Sequence, residues 1–402
     1  MWNPTLAQRA RKNRAPDILA GARVALVCTC LWRNSDVTNG ALASRKIAAA
    51  HRKDGDMAER SLTSTAAFLV ILALVLGATN EVAVANAILQ PGGRISDVRM
   101  VTLGETPGLA ITPSGDFLLA YNQISNTSIK CLRRSSDGGD AWGPENQMWN
   151  ASVAGDPTLW ATPGNNLLVE FGKNNAQSVE GAAWSLSEDS GVTWSSFSWF
   201  DNPVSNTEFV PNYLNVGSDV YGMGYGPYYL NDGTTDVSWW KSENDGVSFS
   251  KVSTVRQPGD ASINESAAIQ TGATSVFLIA RSASNMSTYA HTSTDLGVAW
   301  SSQIDYTSQI GVIQDPNLQR VGKVIVLHGR DYLAKTLVAY FSYDNGVTFG
   351  SKLILDTPIW GPDAISYSAS VVLPGHNLLI AYETNTGKGA QINLLNLHVE
   401  QK

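Results

Sequence analysis

Glu105, Asp156, Glu208, Glu265, Asp315 and Tyr367 stand 51, 52, 57, 50 and 52 residues apart. Five carboxylates and one phenol at a near-constant interval could carry proton-transfer chemistry if the fold gathers them at one mouth. Like charges crowded together raise one another's pKa, as a general acid requires. Glu208 and Glu265, on successive units, are the pair that would suit two-carboxylate hydrolysis of a glycosidic bond. The same crowd could hold a cation. A plainer reading also fits: Asp156-Pro157 and Asp315-Pro316 have the chemistry of turns that open strands.

Each of the six residues begins a strand-like run, a Gly- or Pro-bearing turn and a second apolar run, the mark of a β-hairpin. After five of the hairpins the chain writes Ser-x-Asp-x-Gly-x-x-Trp or a close variant, starting at Ser135, Ser187, Ser242, Ser293 and Ser342, with intervals of 52, 55, 51 and 49 residues. Asp137, Asp189, Asn244, Asp295 and Asp344 occupy the third place of this box. Their side chains can accept backbone N–H groups of their own turn, and the Gly permits positive φ. They are therefore expected to staple turns rather than to catalyse. Asn244 supports this, since an amide can staple as a carboxylate does. A hairpin plus a boxed strand pair makes four strands, and self-similarity near fifty residues means copies of one unit around a ring or along a stack. The expected fold is all-β: a six-bladed β-propeller of four-stranded antiparallel blades.

Residues 88–402 are assigned to the propeller. Ala66–Ala78 is a short apolar run that follows Arg60 and precedes an A-x-A pattern at Ala85–Ala87. It reads as a secretory signal within 57–87, with Met57 as the expected start and 1–56 as an extension or leader. An uncleaved run would instead be a short anchor. Residues 1–87 carry net +5 and residues 88–402 net −12, which argues against a phosphate-tracking nucleic-acid binder. Cys131 is the only cysteine after Cys30, so no disulfide is expected within the propeller. No zinc-like spacing is present, and no metal or cofactor is expected. Asn126, Asn150, Asn264 and Asn285 open glycosylation sequons. Tyr228, Tyr229 and Trp360 lie in Gly/Pro-bearing stretches and are candidates for stacking on sugars. Trp199-Phe200 and Trp239-Trp240 suit packing between blades.

The boxes and six-fold hairpins resemble the sialidase (neuraminidase) superfamily over about residues 95–395. That resemblance implies a Tyr nucleophile activated by a Glu, an Asp acid/base and three arginines on a substrate carboxylate. Tyr367 matches the nucleophile, within a strand that closes at Glu383, the place of a Glu that steadies an arginine. Glu265 matches the base and Arg281 the second arginine, which could hold an anion through its fork. Arg330 is a partial match for the third, with Lys335 nearer the family's register. Two elements are missing. Glu105-Thr106-Pro107 stands where the first arginine belongs, and Asn122–Lys130, where the acid should lie, contains no Asp or Glu.

The expected activity is that of an exported, monomeric glycosidase acting on terminal sugars of glycans, not necessarily sialic acid, with Tyr367 and Glu265 catalytic. Arg281, Arg330, Glu208, Asp156, Glu105 and Glu383 would line the substrate. The alternatives are a Glu208/Glu265 enzyme and a non-catalytic glycan-binding propeller.

Overall fold

The computed structural model describes residues 92–150, 156–174, 180–200, 208–226, 235–283, 286–357, 365–385, 387 and 389–402. The expected leader and signal, together with Tyr228, Tyr229 and Trp360, lie outside them. The propeller falls within the unit Asn86–Lys402.

The described strands form six four-stranded antiparallel sheets. In chain order the innermost strands are Glu105–Ile111 (blade I), Thr158–Ala161 (II), Glu208–Val216 (III), Ile263–Gln270 (IV), Ile313–Val321 (V) and Ile365–Leu373 (VI). Each inner strand touches those of the blades before and after it, and VI touches I, so the ring closes. Five blades are single runs of chain, but blade VI is a composite. Its inner three strands end with Ala390–Val399, and its outermost strand is Gly93–Leu103, from the start of the propeller. The sixth blade lacks a box because the N-terminal strand supplies its outer edge.

The core is divided among six interfaces rather than gathered at one centre. Leu109, Leu119 and Tyr121 pack on Leu379, Ala381 and Ile392 between blades I and VI. Met223 and Trp239 pack on Leu278 and Ala280 between III and IV. Trp239, Trp240 and Phe200 are buried here, which is the packing role expected of them.

The repeated turn has one geometry in all five copies. The Ser Oγ donates to the acid or amide at 2.7–2.9 Å and accepts the N–H of the box Gly at 2.8–2.9 Å. Oδ1 of the third residue then accepts the N–H four residues on, from Ala141, Thr193, Ser248, Ala299 and Thr348. The box glycines all have φ between 81° and 90°. A side chain there would also strike the preceding blade: a Cβ on Gly191 would lie 2.5 Å from Leu118.

Candidate functional site

The six inner strands open onto one end of the ring, and most are irregular where they open. Pairing skips between Glu105 and Gly108, Phe209 and Tyr213, Ile263 and Ser266, Gln314 and Asn317, and Ile365 and Ser368. A bulge re-aims side chains at the rim of a sheet. In blades I, IV, V and VI the two bulged residues are Thr106-Pro107, Asn264-Glu265, Asp315-Pro316 and Ser366-Tyr367. Glu265 and Tyr367 therefore occupy the same structural place, filled by proline in blades I and V. This corrects the level ring expected from the spacings. Asp315 stands one residue before that place and Glu105 two before, while Asp156 precedes the blade II ladder, which begins at Thr158, and Glu208 precedes the blade III skip, which opens after Phe209. The hairpin turns differ in length, so near-equal spacing along the chain does not give equal register.

Glu265 is 6% exposed and both its oxygens are engaged. Arg281 Nη1 donates to Oε1 at 2.8 Å, and the backbone N–H of Asp315 donates to Oε2 at 3.0 Å. Burial works against the charge of Arg281, but Glu265, with Tyr367 and Tyr225 nearby, holds its pKa above the ordinary value. Asp315 adopts φ 49°, a left-handed conformation that Asp tolerates better than most residues. Its Oδ2 accepts the N–H of Ser368 at 2.7 Å, and its buried Oδ1 has no hydrogen bond among the described residues. Burial, then the charge of Glu265, lifts the Asp315 carboxyl well above the usual range; Asp156 adds to this, while the Ser368 N–H and Arg330 oppose it.

The Tyr367 phenol is pushed well above its ordinary pKa, first by the charge of Asp156, then by burial and by Glu265 and Asp315, against the pull of Arg330. Arg330 donates to the side-chain oxygen of Gln314. Glu383 accepts the Thr106 N–H on Oε2 at 2.9 Å. Burial drives its pKa up to about 7; the Thr106 N–H and Arg330 resist, and Glu105 adds to the rise. Lys335 lies apart from this group, with its ammonium 3.8 Å from the Tyr332 ring centre in a turn.

The structure thus brings Tyr367, Glu265, Arg281, Arg330, Asp156, Asp315, Glu105 and Glu383 into one interacting group. Glu208 opens the inner strand of blade III opposite Tyr225; its side chain is outside the described set. Among the described residues no cluster of His, Cys, Asp or Glu could hold a metal ion.

Sequence reasoning missed a buried polar chain beside the group. In the acid-free segment, Lys130 is fully buried and donates to Asn122 Oδ1 at 2.6 Å and to the Thr127 carbonyl at 3.0 Å. Asn122 donates in turn to Thr106 Oγ1 at 2.6 Å. A lysine amid apolar residues in a strand was the available signal, since buried lysines need partners.

Chemically, a phenol among carboxylates can pass its proton to a neighbour without changing the charge of the group. Both arginines already hold protein oxygens.

In fold, this architecture resembles several solved structures, sialidases among them. A protein of unknown function from Dyadobacter fermentans superposes with TM-score 0.64 at 14% identity, over 77% of this chain and all of that one. A Hadza microbial sialidase gives 0.60 at 16% identity, over 73% of this chain and 65% of its own. Trypanosoma rangeli sialidase bound to the inhibitor DANA gives 0.53 at 13%, over 74% and 55%. The chain thus spans about two thirds and about half of these two sialidases. No family model and no curated protein matches it. Among the described residues no helix is long and apolar enough to cross a membrane.

Proposed function

We propose that the propeller is an exported retaining glycosidase acting on a terminal sugar of a glycan, with Tyr367 as nucleophile and Glu265 as the base that receives its proton. The observation that carries this reading is the Arg281–Glu265 ion pair at 2.8 Å in blade IV, with the Tyr367 phenol of blade VI near enough to act on the same guanidinium. A phenol sharing its surroundings with carboxylates is an arrangement suited to attack on an anomeric carbon, the exception among glycosidases that sialidases represent. Arg281 is held by Glu265, which leaves its remaining donors for sugar oxygens. Glu105 at the place of a first arginine disfavours a carboxylate there by charge repulsion, so a hydroxyl-rich sugar without a carboxylate fits better than sialic acid.

The test is a panel of fluorogenic glycosides, sialosides included, against the wild type, Tyr367→Phe and Glu265→Gln. Cleavage of one member, lost in both variants, is the expected result. Inactivity across the panel, or full activity of Tyr367→Phe, contradicts the reading.

A glycan-binding propeller without catalysis is the second reading. Glu105 and the acid-free segment around Lys130 favour it, and binding on a glycan array without cleavage would establish it. A Glu208/Glu265 enzyme would instead lose activity in Glu208→Gln and keep it in Tyr367→Phe.

A further inference from the structure

We infer that Glu383 is the proton donor to the leaving group, taking the place of the acid that Asn122–Lys130 lacks. The inference rests on the glycosidase reading above.

Register puts Glu383 beside the nucleophile. Ile365 pairs with Thr384 and Ser368 with Tyr382, so the bulged pair Ser366-Tyr367 lies across from Glu383 on the neighbouring strand. One carboxylate oxygen is fixed: Oε2 takes the Thr106 N–H at 2.9 Å. Among the described residues the other oxygen receives no hydrogen bond and is free to carry a proton. Thr106 is itself held at φ 51° and tied through Asn122 to the buried Lys130. A buried chain of hydrogen bonds therefore sets the position of Glu383 from blade I.

The charged groups facing Glu383 are Glu105 from blade I and Arg330 from blade V. Burial first, and then the Glu105 carboxylate standing where a first arginine would, hold the Glu383 pKa up at about 7. The two apparent losses in this site, the arginine and the acid, are then one exchange.

The other acids are less suited. Asp315 is 3% exposed, with Oδ1 walled off from any substrate. Glu265, held by Arg281 and by the Asp315 N–H, is the acceptor of the phenol proton in this reading and so cannot also supply the leaving group's. Asp156 is the foremost influence on the Tyr367 phenol and is the competitor to be tested. Glu383, on the second strand of blade VI, keeps partial exposure.

The steps balance without a further reactant. The Tyr367 oxygen bonds to the anomeric carbon as the glycosidic C–O bond breaks; the phenol proton goes to Glu265, and the Glu383 proton goes to the departing oxygen. In the second half a water attacks the same carbon. Its proton goes to Glu383, the tyrosyl–carbon bond breaks, and Glu265 returns a proton to the phenolate.

The experiment compares Glu383→Gln, Asp156→Asn and wild type on the 2,4-dinitrophenyl and methyl glycosides of the sugar cleaved in the panel. Glutamine keeps an oxygen for the Thr106 N–H, and melting curves monitor the fold. General-acid assistance contributes about 10²–10⁴-fold. Glu383→Gln should therefore lose about that much kcat/KM on the methyl glycoside and much less on the dinitrophenyl glycoside, whose leaving group needs no proton. The basic limb of its pH profile should vanish, and azide should rescue Glu383→Ala on the activated substrate. Equal losses on both substrates, or this signature in Asp156→Asn instead, overturn the inference. If Tyr367→Phe is dead while Glu383→Gln is unaffected, only the acid assignment falls. If the wild type cleaves no glycoside, the glycosidase reading falls and takes this inference with it.

Discussion

The backbone N–H of Asp315 reaches Oε2 of Glu265 at 3.0 Å across the junction of blades IV and V. The carboxylate of the same Asp315 takes the N–H of Ser368, next to Tyr367, at 2.7 Å in blade VI. One buried aspartate therefore fastens the proposed base to the strand of the proposed nucleophile. Inner strands in a propeller share no ladder hydrogen bonds, so side-chain ties of this kind fix their relative heights.

Replacing Asp315 by Ala should strand the buried Ser368 N–H and force Ala into a left-handed conformation. Leaving a buried donor unsatisfied costs about 1–3 kcal/mol. Asp315→Asn should cost less, because Asn keeps an acceptor and tolerates positive φ. Urea unfolding of both variants checks the ranking; equal stability of Ala and wild type would show that the tie is unimportant.

The repeated turns should matter for stability and not for chemistry. Ser342 is 1% exposed and both donates to Asp344 and accepts from Gly346. Ser342→Ala should destabilise by about 1–2 kcal/mol, the range for losing buried hydrogen bonds, with kcat/KM unchanged for any substrate found. A thermal melt paired with the activity assay decides this.

Glu383 makes stability depend on pH in a stated direction. Its folded pKa, about 7, lies above the unfolded value near 4.5. The stability it contributes is fully present below about pH 4.5 and is lost as pH rises through 7. Glu383→Gln cannot ionise, so it should melt above the wild type at pH 8–9, with the gap closing toward pH 5. A constant offset across that range would mean that Glu383 is charged throughout.

Gly93–Leu103 closes the ring by pairing with Ala390–Val399, and Ile95 packs on the core between blades V and VI. A chain beginning at Gly104 would expose a bare sheet edge, a template for aggregation. It should aggregate or melt well below a chain beginning at Asn86, as light scattering during a thermal ramp would report. Equal melting would show that three strands suffice in blade VI.

The five turns were legible because their chemistry is local: Ser, Asp and Gly at fixed offsets bond within one turn. Blade number followed from the period. The closure of blade VI was not legible, since it joins residues some three hundred positions apart. The level of the inner-strand residues does not follow from their spacing either, because hairpin turns vary in length and bulges insert residues that a count cannot see. Tyr367, Glu265 and Arg281 were nameable from family likeness, and their mutual coupling required the fold. The near-neutral proton of Glu383 was not readable at all. It depends on burial and on Glu105 standing where a cation was expected, both consequences of packing.

The most direct test is covalent trapping. The protein, incubated with 2-deoxy-2-fluoroglycosyl fluorides and 2,3-difluorosialic acid, is digested and mapped by mass spectrometry. The account predicts one sugar adduct, on the peptide that contains Tyr367, absent from Tyr367→Phe. An adduct on Glu208 or Glu265, or none with any sugar the enzyme cleaves, would contradict it.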